Sequence, residues 1–138
     1  MKFGQSLTLS WLLYVLFSKN IYDVYYIWVK DIVNKNGIAV VNNILVEGSK
    51  ELTEVVIPEG VTTICWDAFN SGKLQKVTFP DSIVTIEMYA FGDNYNLTEI
   101  ILPAGATDVS DYAFHGCRRL SRIVIGGKEA DLSKFKIR

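Results

Sequence analysis

Hydrophobic and polar residues between Leu52 and Ile125 follow a pattern that recurs every 22 or 23 residues. Four segments begin with a leucine, numbered here as position 0, and carry apolar residues at positions 3 and 5. They are LTEVVIP, LQKVTFP, LTEIILP and LSRIVIG. Positions 3 and 5 share one face of a strand, because side chains alternate along it. A short fixed period predicts a solenoid, in which neighbouring units cover each other's apolar side. The predicted core residues are Leu52, Val55, Ile57, Leu74, Val77, Phe79, Leu97, Ile100, Leu102, Leu120, Ile123 and Ile125.

A second shared segment follows each of the first three predicted strands and ends on a phenylalanine at position 17. The three versions, VTTICWDAF, IVTIEMYAF and ATDVSDYAF, end on Phe69, Phe91 and Phe114. Equivalent positions of stacked units become neighbours, so we expect these rings to lie in file in the interior. Proline ends the first three strands, since it has no amide hydrogen to give to a ladder. Gly126 takes that place in the fourth unit, which predicts an incomplete last rung, a rung being one circuit of the solenoid.

The first 20 residues contain an uninterrupted apolar run from Leu7 to Phe17. At 11 residues it is shorter than the roughly 20 that a membrane-spanning helix needs, so we expect no stable membrane span. Lys2 precedes the run as in a secretory signal, but the residues after Phe17 do not form a small-residue cleavage site. An export signal, a packed helix and a degraded earlier repeat are the three open interpretations.

Residues 21–51 predict a helix followed by a β-hairpin. From Ile21 to Ile32, apolar residues lie at intervals of 3 and 4, which is typical of one face of an amphipathic helix. Two β-branched runs then flank Asn42-Asn43, and asparagine tolerates the positive φ of a two-residue turn. We expect the helix to cover the first rung and the hairpin to lie between helix and repeats, where it hides the first edge of the sheet.

The repeat consensus, LxxIxIPxxVxxIxxxAFxxCxxL, resembles the BspA-like, or treponemal-type, leucine-rich repeats. The resemblance covers Leu52 to Ile125, and the preceding segment extends it back to about Trp28. The cysteine of the consensus is kept as Cys117, whereas Gly72 and Asn94 occupy the equivalent positions. Known members are often surface or secreted proteins implicated in adhesion to host proteins or cells, and the family has no catalytic motif. The resemblance therefore implies a solenoid fold and a non-catalytic binding role.

Together these patterns predict an α/β protein: a short right-handed leucine-rich-repeat solenoid with a parallel sheet, an N-terminal helical cap and a β-hairpin. Its expected parts are an apolar segment (1–20), the helix and hairpin cap (21–51), the solenoid (52–125) and a polar C-terminal tail (126–138).

Composition and charge narrow the range of partners. The chain has 14 basic and 15 acidic residues, and it lacks a basic run that would grip phosphates, so nucleic acid is not an expected partner. Cys65 and Cys117 are two rungs apart, which places them roughly 10 Å from each other along the axis. That separation is too large for a disulfide, so the cysteines do not report an oxidising compartment.

The residues that could carry chemistry do not form a convincing site. His115 and Cys117 are two residues apart in a predicted tight turn, where side chains usually diverge, so we expect no catalytic pair, no enzyme activity and no cofactor. One histidine and two distant cysteines cannot form a structural zinc site. Several carboxylates fall at turns, where solvated side chains are the favoured interpretation and calcium binding is the alternative. They are Asp67, Glu87, Asp93, Asp108 and Asp111.

The outward side of the predicted strands is the candidate binding face. Position 1 is always polar and position 4 is mostly β-branched and apolar, which favours protein or glycan recognition. Position 2 alternates in charge through Glu54, Lys76, Glu99 and Arg122, which indicates a stabilising ladder or, alternatively, a ligand track. The candidate residues are Thr53, Val56, Gln75, Thr78, Thr98, Ile101, Ser121 and Val124.

The outward face predicts a non-catalytic module for protein recognition, and the family resemblance implies adhesion and a location at the cell surface or secreted, with a cytoplasmic location as the alternative. A second hypothesis is a structural fragment of a larger repeat protein, without its own ligand, that self-associates through the C-terminal edge of the solenoid. That hypothesis depends on an unpaired last strand, because exposed strand edges invite pairing.

Overall fold

The computed structural model of the protein describes residues 36–138. The apolar segment of residues 1–20 and the helix predicted from Ile21 lie outside the described residues. Within them, the chain winds into a β-solenoid of about four turns. The solenoid with parallel strand pairing, which the repeat predicted, is confirmed.

Short strands joined by tight turns make up the rungs. The only helical residues in the described part form a single 3-10 turn at Leu132–Lys134. The described chain is therefore a β-solenoid, and the predicted α/β class is wrong for this part, because turns rather than helices connect the strands. The strands are β1 (Ile38–Val41), β2 (Ile44–Gly48), β3 (Glu54–Val56), β4 (Thr63–Ile64), β5 (Lys76–Thr78), β6 (Thr85–Ile86), β7 (Glu99–Leu102), β8 (Asp108–Val109), β9 (Arg122–Ile125) and β10 (Lys128–Glu129).

The predicted hairpin is confirmed. β1 and β2 pair antiparallel around Asn42 and Asn43, whose φ angles of 49° and 64° are those of a two-residue turn with both residues left-handed. β2 then pairs in parallel with β4, so the hairpin covers the first edge of that column of strands. As expected, the outer edge of β4 is covered, and β1 is the edge strand of the described sheet.

The strands form two columns. One is a continuous sheet in the order β1-β2-β4-β6-β8, and the other consists of the pair β3-β5 and the sheet β7-β9-β10. Equivalent positions pair in both columns: Val55 lies opposite Val77, and Ile64 lies opposite Ile86. This register buries nine of the twelve predicted core residues, and Leu52, Phe79 and Ile125 pack partly buried against them.

The three phenylalanines at position 17 form the stacked file that the sequence predicted. Phe69 and Phe91 have ring centroids 5.3 Å apart, Phe91 and Phe114 are 5.8 Å apart, and both pairs are nearly parallel. All three are almost completely buried. Gly48 takes the equivalent place in the first described rung, where a Cβ atom would lie only 1.9 Å from the ring of Phe69. At the other end, Phe135 packs edge-on against Phe114 at 6.0 Å.

The segment after β9 differs from the prediction of a polar tail. β10 pairs antiparallel with β9, opposite Ile125 and Val124, so the predicted unpaired edge of the last strand is wrong over these residues. The chain then returns to the third rung, where the Lys136 amide donates to the Asp111 carbonyl at 2.7 Å. Ile137 is buried, and Leu132 and Phe135 pack against the core. Residues 128–138 therefore cap the solenoid.

Candidate functional site

We call the outward side of β3, β5, β7 and β9, together with the residues that lead into these strands, the sheet face. Seven of the eight predicted face residues are exposed there. The exception is Val124, which is only 6% exposed. The prediction for Val124 is wrong because β10 runs beside β9 and places Glu129 opposite it. The sheet face therefore comprises Thr53, Val56, Gln75, Thr78, Thr98, Ile101 and Ser121.

Two apolar side chains stand out on the sheet face. Val56 is 71% exposed and Ile101 is 53% exposed, with Thr78 paired beside Val56. Large aliphatic side chains on an outward strand surface are costly to leave in water and often mark an interface when they are grouped. The sheet face has two halves, because no ladder of backbone hydrogen bonds joins β5 to β7.

The predicted charge ladder is only partly formed. Arg122 forms an ion pair with Glu99, and its Nε donates to Glu129 Oε1 at 3.0 Å. The hydrogen bonds to Glu99 and Glu129 raise the pKa of the Arg122 guanidinium. Glu54 and Lys76 lie opposite each other in register, yet neither forms an ion pair within residues 36–138. These two charges are thus available to a ligand on the first half of the face.

The polar column at position 1 serves partly as sheet structure. The Thr53 carbonyl accepts from the Gln75 amide at 2.7 Å, and the Thr98 carbonyl accepts from the Ser121 amide at 3.0 Å. The Ser121 hydroxyl also donates to the Thr98 carbonyl, at 3.3 Å. The side chains of Thr53, Gln75 and Thr98 are exposed and can meet a partner.

A second exposed surface lies at positions 14 and 15 and at His115, and the sequence analysis missed it. Trp66 and Met88 are 54% and 45% exposed. The rings of Tyr89, Tyr112 and His115 contact one another with centroids 5.6 to 6.0 Å apart. Tyr89 has a φ of 57°, which is unusual for a bulky residue. The signal was present in the WDAF, EMYAF and SDYAF segments, where bulky side chains adjoin the buried phenylalanine.

His115 and Cys117 do not form a catalytic pair. His115 Nδ1 donates to the Lys136 carbonyl at 2.7 Å, whereas the Cys117 thiol donates to the Phe91 carbonyl at 3.0 Å. Burial raises the pKa of Cys117 to about 11. The sulfur therefore stays protonated at neutral pH, and a protonated thiol is a poor nucleophile. Both Cys65 and Cys117 are free.

Two of the five turn carboxylates accept hydrogen bonds from the neighbouring rung. Glu87 Oε2 accepts from the Trp66 amide at 2.7 Å, and Asp108 Oδ2 accepts from the Thr85 hydroxyl at 3.3 Å. Burial raises the pKa of Asp67. Across residues 36–138, no group of three or more histidine, cysteine, aspartate or glutamate side chains is placed to hold a metal ion. The calcium alternative finds no support in this part of the chain.

None of the helical residues in residues 36–138 forms a segment long and apolar enough to cross a membrane. This finding concerns only that range. The apolar run from Leu7 to Phe17 lies outside it.

A solved structure and a family model match parts of the chain. No curated protein matches it. Among solved structures, it is similar to a leucine rich cell surface protein from Faecalibacterium prausnitzii A2-165, with 40% identity and a TM-score of 0.48. The match covers 56% of this chain and 20% of that one, so the chain spans about a fifth of that protein's length.

A family model described as a BspA type leucine rich repeat region matches residues 20–135 in six copies. The match extends beyond the predicted solenoid on both sides. This agrees with the pairing of β2 onto β4 and with the packing of Leu132 and Ile137 against the last rung. The repeats fill most of the sequence, and the chain belongs to the BspA-type leucine-rich repeat family.

Proposed function

We propose that the chain is a non-catalytic binding module that recognises a protein partner through the sheet face. The observation that carries this proposal is the exposure of Val56 and Ile101 on the outward side of an otherwise well-packed solenoid. A strand framework with paired backbone changes little on binding, so little conformational entropy is lost when such a face is covered. A glycan is the alternative ligand for the same face.

Charge adds specificity to the proposed face. Glu54 and Lys76 form no ion pair within residues 36–138 and flank the exposed Val56. A partner that presents complementary charges there would gain orientation and association rate more than affinity. On the second half of the face, Arg122 is already held by Glu99 and Glu129, so we assign it to stability.

We further propose an adhesive role at the cell surface or outside the cell, as in known members of the family. Fractionation of cells, with immunodetection of the chain, tests this location. Recovery only in the cytoplasm would contradict it. Self-association through the C-terminal edge stays the alternative proposal, limited to the part of that edge that β10 does not cover.

The sheet face is tested by the double variant Val56→Arg and Ile101→Arg. Its binding to immobilised extracellular matrix proteins and to a glycan array is compared with that of the wild type. We expect binding to weaken about ten-fold or more, because two apolar contacts are replaced by charged groups that must be desolvated.

The matched control is Val40→Arg with Val84→Arg. Val40 and Val84 are also exposed aliphatic residues, at 38% and 42%, but they lie outside the sheet face. The control variant should bind like the wild type. Unchanged binding of a folded Val56→Arg and Ile101→Arg variant would exclude the sheet face.

A further inference from the structure

One corner of the solenoid brings positions 13 to 15 of the first three units together, at residues 65–67, 87–89 and 110–112. Backbone hydrogen bonds join the three turns: the Asp67 amide donates to the Met88 carbonyl at 3.4 Å, and the Tyr89 amide donates to the Tyr112 carbonyl at 3.1 Å. We call the surface of these nine residues the aromatic ridge.

Each turn of the aromatic ridge carries one aromatic side chain and one carboxylate, and none of the nine residues is basic. The face of an aromatic ring attracts a cation, and a carboxylate accepts charge-assisted hydrogen bonds from a guanidinium. The same pair of chemical groups is therefore repeated three times along the corner. The pairs are Trp66 with Asp67, Tyr89 with Glu87, and Tyr112 with Asp111.

The aromatic ridge is accessible at its apolar part. Trp66 and Met88 take position 14 of adjacent rungs and are each about half exposed. Asp111, at position 14 of the next rung, is exposed as well. Large apolar side chains that are grouped on a surface often mark an interface.

The groups on the aromatic ridge are held in place before any partner arrives. Glu87 Oε2 accepts from the Trp66 amide at 2.7 Å, which fixes the carboxylate beside the residue that carries the indole. The ring of Tyr89 contacts those of Tyr112 and His115 at centroid distances of 5.9 and 5.6 Å. A ligand therefore needs to order few of these side chains.

The negative charges of the aromatic ridge are not neutralised by ion pairs within residues 36–138. Burial raises the pKa of Asp67, and Lys50 only partly offsets that effect without forming an ion pair with it. Lys134 takes position 14 in the fourth unit, so the acidic surface ends at the third rung. A surface region of one sign of charge attracts partners of the opposite sign.

The rings of the aromatic ridge also have no cation of their own in the described part of the chain. The cation–π contact found there is that of Arg118, whose guanidinium lies 5.9 Å from the ring centroid of Tyr95, outside the aromatic ridge. Arginine binds such ring faces better than lysine does, because its planar guanidinium can stack on them.

We propose that the aromatic ridge binds a protein segment that presents arginine side chains. One guanidinium lies over the Trp66 indole and meets the Glu87 carboxylate, and another reaches the ring of Tyr112 and the carboxylate of Asp111. The aromatic ridge shares no residue with the sheet face, so this second binding surface goes beyond the proposed function.

The test uses the full chain and a fluorescently labelled peptide of alternating arginine and glycine, with binding measured by fluorescence anisotropy. We expect saturable binding that weakens with added salt, because the charges are screened. A peptide with citrulline in place of arginine has nearly the same shape without the charge, and it should bind about ten-fold more weakly or less. Equal binding of the two peptides would overturn the proposal. Displacement of the arginine peptide by a neutral oligosaccharide would assign the aromatic ridge to glycans and would overturn it too.

The carboxylates are tested by the double variant Glu87→Gln and Asp111→Asn, in which glutamine keeps an oxygen for the Trp66 amide. We expect arginine-peptide binding to weaken about ten-fold or more, because two charge-assisted contacts become neutral. The matched control, Glu59→Gln with Asp81→Asn, changes the net charge equally at exposed positions outside the aromatic ridge. Equal loss in both variants would show that binding follows net charge alone, and the proposal would fail.

The rings are tested by the double variant Trp66→Ser and Tyr89→Asn. Asparagine tolerates the φ of 57° at position 89, so we expect this variant to fold, which its thermal melting checks. Its binding of the arginine peptide should weaken about ten-fold or more, whereas the control Tyr95→Ser, which removes an exposed ring elsewhere, should stay within about two-fold of the wild type. Unchanged binding of the folded double variant would overturn the proposal and would leave the sheet face untouched.

Discussion

Asn94 is the one fully buried polar side chain in the described core, and its hydrogen bonds account for its place there. Its Oδ1 accepts from the Leu74 amide at 3.0 Å, and its Nδ2 donates to the carbonyls of Phe69 and Phe91 at 2.8 and 2.9 Å. Gly72, at the equivalent position of the preceding rung, leaves room for this side chain, because a Cβ there would lie 2.6 Å from Asn94 Oδ1. One amide thus joins two turns that would otherwise contain unsatisfied backbone groups.

Replacing Asn94 by alanine should lower the free energy of unfolding by about 2 to 5 kcal/mol, because several buried backbone groups lose their partners. Urea denaturation followed by fluorescence measures the change. Asn96→Ala, at an exposed position nearby, should change the free energy of unfolding by about 0.5 kcal/mol or less. Equal effects of the two substitutions would contradict the role assigned to Asn94.

The raised pKa of Cys117 predicts that the free energy of unfolding depends on pH. Burial raises the pKa of its thiol from 9.0 to about 11, so the folded state holds the proton more tightly than the unfolded state. The corresponding stability is fully present below about pH 9 and is lost as the pH rises toward 11. Denaturation measured at a series of fixed pH values tests this. Between about pH 9 and pH 11, the free energy of unfolding should fall less for Cys117→Ala than for the wild type. Identical pH profiles would contradict the shift.

At the level of elements, the cap formed by β10 and residues 132–138 closes one end of the core. Ile137 is 9% exposed and holds position 17 of the fourth unit, the place of Phe114 in the third. Ile137→Ala should therefore cost about 2 kcal/mol, near the low end for a buried aliphatic residue, because the site lies at the end of the stack.

Thermal unfolding, with light scattering to detect association, checks this prediction. Lys134→Ala is the matched control, since Lys134 is exposed in the 3-10 turn of the same cap. If Ile137→Ala melted at the wild-type temperature, the segment would not act as a cap.

The repeat period predicted the strands and their register because equivalent positions need only stack to become neighbours. Ile64, paired in register with Ile86, is such a case. The cap was harder to predict, because Gly126 replaces the strand-ending proline and charged residues surround Leu132 and Ile137. These two residues nevertheless repeat the apolar positions 12 and 17.

Most of the sheet face followed from strand alternation, which is a local property. The burial of Val124 did not, because it depends on β10 returning beside β9. The exposed surface that includes Trp66, Met88 and Tyr89 was missed for another reason. The residue types at positions 14 and 15 differ between units, so no single pattern marks them.

In the whole molecule, charge is unevenly distributed along the solenoid. Residues 36–117 contain eleven acidic and three basic side chains, whereas residues 118–138 contain two acidic and seven basic ones. The net charge of −1 conceals this separation. Because each rung contacts only its neighbours, separation along the sequence becomes separation along the solenoid axis.

The protein should therefore be retained on both anion and cation exchangers at pH 7 and low ionic strength, since each resin meets one charged end. The variant Lys136→Glu with Arg138→Glu should lose retention on the cation exchanger and gain it on the anion exchanger. If the wild-type protein passed through the cation exchanger without delay, the two ends would not act as separate charged surfaces.

Gly48 shows that equivalent positions of this array cannot all carry the same residue. It occupies the first described place in the file of phenylalanine rings, and the Phe69 ring fills the space that any larger side chain would need. The substitution Gly48→Phe would therefore place two rings in the space of one. Between Phe69 and Phe114, by contrast, each ring already has another ring on both sides or next to it. The first described rung is thus shaped around the Phe69 ring, whereas the rungs that end on Phe69, Phe91 and Phe114 carry the same residue at this place.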